Sequence, residues 1–444
     1  MKIHKYLIGV LFLFLSVYAR ASVEVRSVHV TTNDGIVNNS IRHIFQDSKG
    51  FNWFGTLNGL SRYDGNSFVN FRPSLKDTLS LADHRIRQIS EDKNGFLWIS
   101  TFAELYSCYD LKKDCFVDFT GCGEYNQRYS DKRITSNGDC WLWHKGNGCR
   151  RVRYTDEAFS SFTFTKEKGN LPSNRVNYVF EDYLGRIWIG CDQGVALVTG
   201  ERADLSVISS SAFMAQSVGK RVFFLSSQGS VSMKEEGRPI REVANLSKEG
   251  TLTVTGCFQI QDDWLILTSK GTYMFNTTTY KVSRSTLLNI KEGRTQADNR
   301  GNCWICNHTG RVWYINAKTR AVKEFQLMSD DKVGYIDRER YNIVHDSRDI
   351  IWISTYGNGL FAYNLRTEEL QHFTSNINGF SHINSNFLLD IMEDRSKSIW
   401  VSSEYAGASR LLIQNEEVVR MYPEDRTLSD RSNTIRMITR LQNG

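Results

Sequence analysis

Ten polar or aromatic residues follow a repeated tryptophan-containing segment, and their side chains could bind a sugar. Carbohydrate sites combine a few well-placed polar groups with an aromatic ring as a platform. The residues are Asn58, Glu104, His144, Lys145, Asp192, His308, Tyr356, Asn358, Glu404 and Tyr405. The sequence therefore predicts a ligand site drawn from this set. For each residue, the alternative is an ordinary solvent-exposed turn position.

The sequence does not favour a redox, metal, nucleophilic or nucleotide-binding site. Cys303 and Cys306 have the spacing of a redox motif, but residues i and i+3 of a strand point to opposite faces. The nine histidines are dispersed and show no zinc-ligand spacing. No nucleophile-elbow or Gly-rich nucleotide-binding pattern is present. We therefore predict no catalytic residue, no metal site and no cofactor.

The tryptophan-containing segment is an internal repeat. Asp47, Gly50 and Trp53 define its spacing. Nine copies centre on Trp53, Trp98, Trp141, Trp188, Phe223, Trp264, Trp304, Trp352 and Trp400. Aspartate followed by glycine suits a tight turn, and the tryptophan is large enough to fill the gap between neighbouring sheets. We expect the repeated aspartates and tryptophans to be structural.

Four short strands in about 45 residues form one blade of a β-propeller. Nine blades exceed the usual four to eight of one ring. The sequence therefore predicts an all-β protein with a seven-bladed propeller at 22–326 and an incomplete second propeller at 327–444. Asn39, Asn174 and Asn386 each precede a central tryptophan by fourteen residues. Asn433 is in a similar context, so we expect the sequence to end within a tenth blade.

The N-terminus indicates export. Lys2 and Lys5 precede an apolar run, and Ala19 and Ala21 suit signal peptidase, so residues 1–21 are predicted to be a signal peptide. An uncleaved anchor is the alternative. Loss of the signal peptide would lower the formal charge from +6 to +3, which does not favour nucleic-acid binding.

The cysteine content leaves the pairing of the thiols open. Nine is an odd number for an exported protein, so at least one thiol should be free or paired outside the chain. Cys108 and Cys115 flank a predicted hairpin, as do Cys140 and Cys149. Each pair is a candidate disulfide, and scattered buried thiols are the alternative.

The segment from Asp182 to Val195, Asp-x-x-Gly-x-x-Trp-Ile-Gly followed by Gly-Val, resembles the two-component regulator propeller repeat. The opening from Thr32 to Ile41 is similar to the first blade of hybrid two-component sensors from polysaccharide-degrading Gram-negative bacteria. That resemblance implies a periplasmic region that binds glycan-derived oligosaccharides and controls polysaccharide-utilisation genes. It also implies a longer parent chain with a membrane helix and a histidine kinase, which homodimerises at full length.

Two other functions stay open. One is a secreted propeller enzyme acting on glycans, and the other is an interaction scaffold, since a propeller fold does not dictate function. A glycosidase needs two carboxylates around one site, whereas Glu104, Asp192 and Glu404 lie in different copies of the repeat.

Overall fold

The computed structural model describes residues 23–414, apart from residues 75, 78, 122–126, 207–210, 292, 308, 328–340 and 376–381. The described residues form 36 β-strands and two short 3₁₀ helices, Thr32–Asp34 and Leu246–Glu249. The predicted signal peptide and tenth blade lie outside the described residues.

The strands form nine four-stranded antiparallel sheets, which we number as blades 1 to 9 along the chain. Blades 1 to 3 comprise β2 (Ile41–Gln46), β3 (Asn52–Thr56), β4 (Gly59–Tyr63) and β5 (Phe68–Phe71); β6 (Ile86–Glu91), β7 (Phe96–Thr101), β8 (Tyr106–Asp110) and β9 (Cys115–Val117); and β10 (Asp131–Ile134), β11 (Cys140–His144), β12 (Gly148–Thr155) and β13 (Ala158–Phe164).

Blades 4 to 6 comprise β14 (Val176–Glu181), β15 (Ile187–Cys191), β16 (Gly194–Thr199) and β17 (Arg202–Ser206); β18 (Ala212–Val218), β19 (Arg221–Ser226), β20 (Ser230–Glu235) and β21 (Arg241–Asn245); and β22 (Val254–Ile260), β23 (Asp263–Thr268), β24 (Gly271–Asn276) and β25 (Val282–Arg284).

Blades 7 and 8 comprise β26 (Arg294–Ala297), β27 (Cys303–Cys306), β28 (Arg311–Ile315) and β29 (Val322–Gln326); and β30 (Asn342–His345), β31 (Ile350–Ser354), β32 (Leu360–Asn364) and β33 (Leu370–Phe373). Blade 9 comprises β34 (Leu388–Glu393), β35 (Ile399–Ser403), β36 (Ala408–Gln414) and, from the N-terminus, β1 (Glu24–Val30). The predicted all-β propeller is confirmed, and every predicted repeat centre lies in the second strand of a blade.

The ring closes through the N-terminal strand. β1 pairs antiparallel with β36 in a register running from Glu24 opposite Gln414 to Val30 opposite Ala408. The first strand of blade 1 also packs against the first strand of blade 9. The nine blades therefore form one ring. The prediction of a seven-bladed ring followed by an incomplete second propeller is wrong, because the fourth strand of blade 9 comes from a segment that carries no repeat motif.

A separate hydrophobic cluster fills each interface between neighbouring blades. At the closing interface, Trp400 and Ala408 of blade 9 pack against Ile41 and Phe54 of blade 1. The other eight clusters join successive blades from 1 to 9. Because blades 7 and 8 share one of these clusters, packing is continuous across residues 326–327, where a domain boundary was predicted.

The repeated aspartate links the turn to the central tryptophan. Asp47 accepts hydrogen bonds from the Lys49 and Phe51 amides and, through Oδ2, from the Trp53 indole N–H at 2.7 Å. The same indole bond recurs in five more blades, at 2.8–3.1 Å. A buried indole N–H needs an acceptor, and the aspartate provides it.

The degenerate copies of the repeat show what happens without this aspartate. Blade 3 has Thr135 at the aspartate position, and the Trp141 indole N–H is buried without a hydrogen-bond partner. The Trp264 indole of blade 6 is also unpartnered. Blade 5 places Phe223 at the centre, and phenylalanine has no donor to satisfy.

The eight cysteines described by the structure are all unpaired thiols. Cys108 lies opposite Val117 rather than Cys115, and Cys140 lies opposite Val152 rather than Cys149. Neither candidate disulfide is formed, because the strand registers place Cys115 and Cys149 away from Cys108 and Cys140, and the alternative of unpaired thiols holds for the described cysteines. Burial raises the pKa of the Cys306 thiol to about 12 and disfavours the reactive thiolate.

Candidate functional site

One face of the ring carries both the turns after the central strands and the loops that enter each first strand. The amides of Gly357 and Gly359 donate to the carbonyl oxygen of Asn386 at 2.9 and 3.0 Å. Gly148 donates in the same way to Asn174, and Gly407 to Asn39. The recurring asparagines therefore join the turn of one blade to the entry loop of the next. We call this side of the ring the loop face.

A β-bulge modifies the first strand of six blades near the loop face. The register shifts between Ile41 and His43 in blade 1, which leaves Arg42 as the extra residue. Equivalent shifts occur in blades 2, 4, 5, 6 and 9. A bulge re-aims a side chain and is common next to binding sites. In blade 1, it aims Arg42 towards blade 9.

Residues from four consecutive blades meet around Arg42. Its Nη2 donates to Oε1 of Glu404 at 3.1 Å. The Tyr356 hydroxyl donates to the other carboxylate oxygen, Oε2. The Arg42 guanidinium lies 5.8 Å from the Phe102 ring centroid, and the Tyr356 and Phe387 rings are 5.2 Å apart. With Tyr405, these residues form what we call the seam site, because it spans the junction of blades 9 and 1.

The seam site combines a fixed polar centre with exposed aromatic rings. Glu404 is only 7% exposed, whereas Phe102, Phe387 and Tyr405 are 46%, 40% and 71% exposed. The Arg42 side chain is 17% exposed, so part of its guanidinium can be reached from solvent. Exposed rings beside a preorganised charged pair match the needs of a ligand that both stacks and hydrogen-bonds.

Four other predicted residues, Glu104, His144, Lys145 and Asp192, make polar contacts further round the loop face. Nε2 of His144 lies 3.3 Å from Oε2 of Glu104. Oδ2 of Asp192 lies 3.9 Å from Nε of Arg175. The backbone of Lys145 forms an isolated antiparallel β-bridge with the backbone of the same arginine. The Glu104–His144 pair joins blade 2 to blade 3, the Lys145–Arg175 bridge joins blade 3 to blade 4, and the Asp192–Arg175 pair lies within blade 4. None of these contacts is part of the seam site.

Two of the three remaining predicted residues do not join a cluster. Asn58 is exposed on its turn, where its amide donates to Oγ1 of Thr56. The Asn358 side chain donates to the Leu327 carbonyl at 2.6 Å, which gives it a structural role. His308 lies outside the described residues.

The prediction did not include Arg42, Phe102 or Phe387. Phe102 directly follows the Ser100-Thr101 pair of its blade. Its position in the repeat therefore indicated the loop face, but it was left out of the predicted set because its side chain is apolar. Arg42 could not be found in this way, because a bulge is not visible in the repeat pattern.

Neither a metal centre nor a membrane span is found in the part of the chain that the structure describes. No group of three or more His, Cys, Asp or Glu side chains there could hold a metal ion. Within the same residues, no helix is long and apolar enough to cross a bilayer.

Comparison with known sequences gives a partial match. Residues 80–103 and 170–193 match the two component regulator propeller family. The chain carries this repeat. Both stretches begin in the loop before a first strand and end just after the following second strand, at the turn on the loop face. No curated protein matches the chain.

Three solved structures match more than four fifths of the chain, at 17% identity or less. The extracellular domain of the putative hybrid two component system BT4673 from B. thetaiotaomicron is 16% identical, with 86% of this chain and 54% of that one covered and a TM-score of 0.41. The corresponding domain of BT3049 from the same organism is 17% identical, with 90% and 67% covered and a TM-score of 0.27. The Dos1 propeller is 11% identical, with 87% and 94% covered and a TM-score of 0.49. The chain thus spans about half the length of the BT4673 domain.

Proposed function

We propose that this chain is the extracytoplasmic ligand-sensing region of a hybrid two-component system, and that its ligand is a glycan-derived oligosaccharide bound at the seam site. The observation that carries the proposal is the Arg42–Glu404 pair beside the exposed rings of Phe102 and Phe387, with the exposed Tyr405 next to Glu404 in the chain. The matched repeat at residues 80–103 includes Phe102, which links the family resemblance to this site.

The seam site suits an extended ligand better than a single sugar ring. Its side chains come from blades 8, 9, 1 and 2, so a ligand that contacts all of them follows the curve of the channel mouth. Each aromatic ring offers a stacking face, while Arg42 and Glu404 offer a donor and an acceptor to sugar hydroxyls. Because the charged pair is internally neutralised, a neutral oligosaccharide is a better fit than a highly charged one.

Binding to a panel of glycan fragments, measured by calorimetry, tests this proposal. We expect Phe102→Ala or Tyr405→Ala to weaken the best ligand about ten-fold, since losing one aromatic contact costs on the order of 1–2 kcal/mol. Leu184→Ala is the matched control, because Leu184 is 49% exposed but lies on a turn at the opposite face. Equal effects of all three variants, or no binding by any fragment, would count against the seam site.

The enzyme alternative is tested with the same panel. Incubation followed by product analysis should show binding without turnover. Cleavage of a bound fragment would instead favour a propeller enzyme, with Glu404 as the first carboxylate to substitute.

The remaining parts of the proposal concern the parent protein. We propose that the sensor operates in the periplasm, as part of a membrane-anchored kinase that homodimerises at full length, and that this chain itself binds no nucleic acid. An antibody against residues 22–300 should detect a membrane-bound band far above 51.1 kDa. A soluble band at or below that mass would contradict a membrane-anchored parent.

A further inference from the structure

A cavity lies inside the ring, between the β-bulges of blades 1 and 9 and the turns of the face opposite the loop face. Its volume is about 600 Å³, within the range of small-molecule sites. It is lined by the first strands of blades 1, 2, 8 and 9 and reaches the first turn of blade 7 at Asn299. Successive first strands pack against one another around the ring, so this cavity is part of the central channel. We call it the channel cavity.

Asp390 is the distinctive group in the channel cavity. Its Oδ2 accepts a hydrogen bond from the Ile44 amide across the closing seam at 2.8 Å. Its Oδ1 accepts from the Ile391 amide at 2.9 Å. The side chain is 16% exposed, and among the described residues the basic group nearest to it is Nε2 of His43, 3.9 Å away. A buried carboxylate without a charged partner is unfavourable unless something compensates it.

His43 does not supply that compensation. Its Nδ1 accepts a hydrogen bond from the Ile89 amide at 3.4 Å, which places the ring proton of the neutral form on Nε2, facing Asp390. Burial lowers the pKa of His43 despite the opposing effect of Asp390, and Lys132 lowers it further. Burial also raises the pKa of Asp390. A bound cation would therefore offset the free-energy cost of keeping this carboxylate ionised.

The other charged groups of the channel cavity already have partners. Glu393 accepts from the Ser347 amide and hydroxyl. The Arg395 guanidinium donates to the Ser48 carbonyl at 2.9 Å. These contacts join neighbouring blades at the face opposite the loop face, which gives them a structural role and leaves Asp390 as the group available to a ligand.

We propose that the channel cavity binds a small organic ammonium ion whose amine pairs with Asp390. The carbon skeleton would lie against Ile89, Ile343 and Met392, which line the same cavity. A protonated amine supplies several donors in a compact charge and needs only one carboxylate. This site differs from the seam site in both its residues and its chemistry, so the two proposals can fail independently.

Glucosamine, N-acetylglucosamine and glucose are suitable probes, because they share a ring and differ in the charge at one position. By calorimetry at neutral pH, we expect glucosamine to bind at least ten-fold more tightly than either neutral sugar. Asp390→Asn keeps an acceptor for the Ile44 amide but removes the charge, so it should abolish this preference. Asp64→Asn is the control, because Asp64 lies on an exposed turn.

A second variant keeps the test decisive if Asp390→Asn does not fold. His43→Lys places a primary amine beside Asp390, where its ammonium form would pair with the carboxylate and should block glucosamine as well. Phe102→Ala, at the seam site, should leave glucosamine binding unchanged. Three results would overturn the proposal: no glucosamine binding at millimolar concentration, equal affinity for glucose, or a preference that survives in a folded variant of Asp390 or His43.

Discussion

An engineered disulfide between the N-terminal strand and blade 9 would test how the ring closes. His29 and Ser409 are directly opposite in the register of β1 and β36. Nδ1 of His29 lies 3.1 Å from Oγ of Ser409, although the two residues are 380 positions apart. Their side chains therefore share one face of the sheet at short distance. We expect His29→Cys combined with Ser409→Cys to form an intramolecular disulfide on oxidation.

The size of the effect follows from the length of chain that the bond encloses. For a loop of 380 residues, the chain-entropy relation gives a stabilisation of about 6 kcal/mol at 25 °C. Engineered bonds usually deliver less, because a disulfide geometry seldom fits the native backbone without strain. We therefore expect an increase of at least about 2 kcal/mol in the free energy of unfolding, which a reductant should reverse.

The assay is a non-reducing gel with peptide mapping, followed by urea unfolding with and without reductant. Val28→Cys combined with Ser409→Cys is the matched control, because Val28 lies opposite Arg410 and points to the other face of the strand. Equal crosslinking of both pairs, or no crosslink in the first, would refute closure by β1. Crosslinks between molecules would refute it too, since the strand would then complete a neighbouring copy.

Three further predictions concern the repeat. Asp92→Ala should lower the free energy of unfolding by about 3–5 kcal/mol in urea, because the Trp98 indole and two turn amides lose their acceptor; a loss below 1 kcal/mol would contradict this role. Gly190→Ala should cost about 1–3 kcal/mol, since its Cβ would lie within 2.5 Å of the Tyr178 ring, and Tyr178→Ala should relieve that cost in the double variant. Burial favours a raised pKa for Asp298, but His345, with Nδ1 3.6 Å from Oδ2, and hydrogen bonds from the Asn302 amide and the Trp304 indole lower it to about 2. Its contribution of about 2 kcal/mol is therefore present above pH 4 and lost as the pH falls towards 2, a loss that Asp298→Asn should not show.

The blades themselves could be predicted from the sequence because their determinants are local. Asp47, Gly50 and Trp53 lie within seven residues, and their roles in the turn and the interface do not depend on distant chain. Where the pattern weakens, as at Phe223, the second strand still forms because alternating apolar residues face both neighbouring blades. The nine repeat centres were therefore predicted correctly, although their arrangement in rings was not.

The closure of the ring could not be predicted in this way. β1 carries no motif residue, and its partner β36 lies about 380 residues away. Whether nine blades form one ring or two depends on small changes in the angle at each interface, which the repeat motif does not encode. The same limit applies to the seam site, because Arg42 and Glu404 come together only when blade 9 meets blade 1.

The position of the seam site links ligand binding to the closure of the ring. Its residues belong to the two blades joined by ring closure and to one neighbour on each side. A ligand held by Arg42, Glu404 and Phe102 would therefore add contacts across the junction that depends on β1. Binding should strengthen that junction by the free energy of those contacts. Hydrogen exchange at the amides of β1 should accordingly slow on addition of an oligosaccharide ligand. Unchanged exchange in the presence of a saturating ligand would show that ligand binding does not stabilise the closure of the ring.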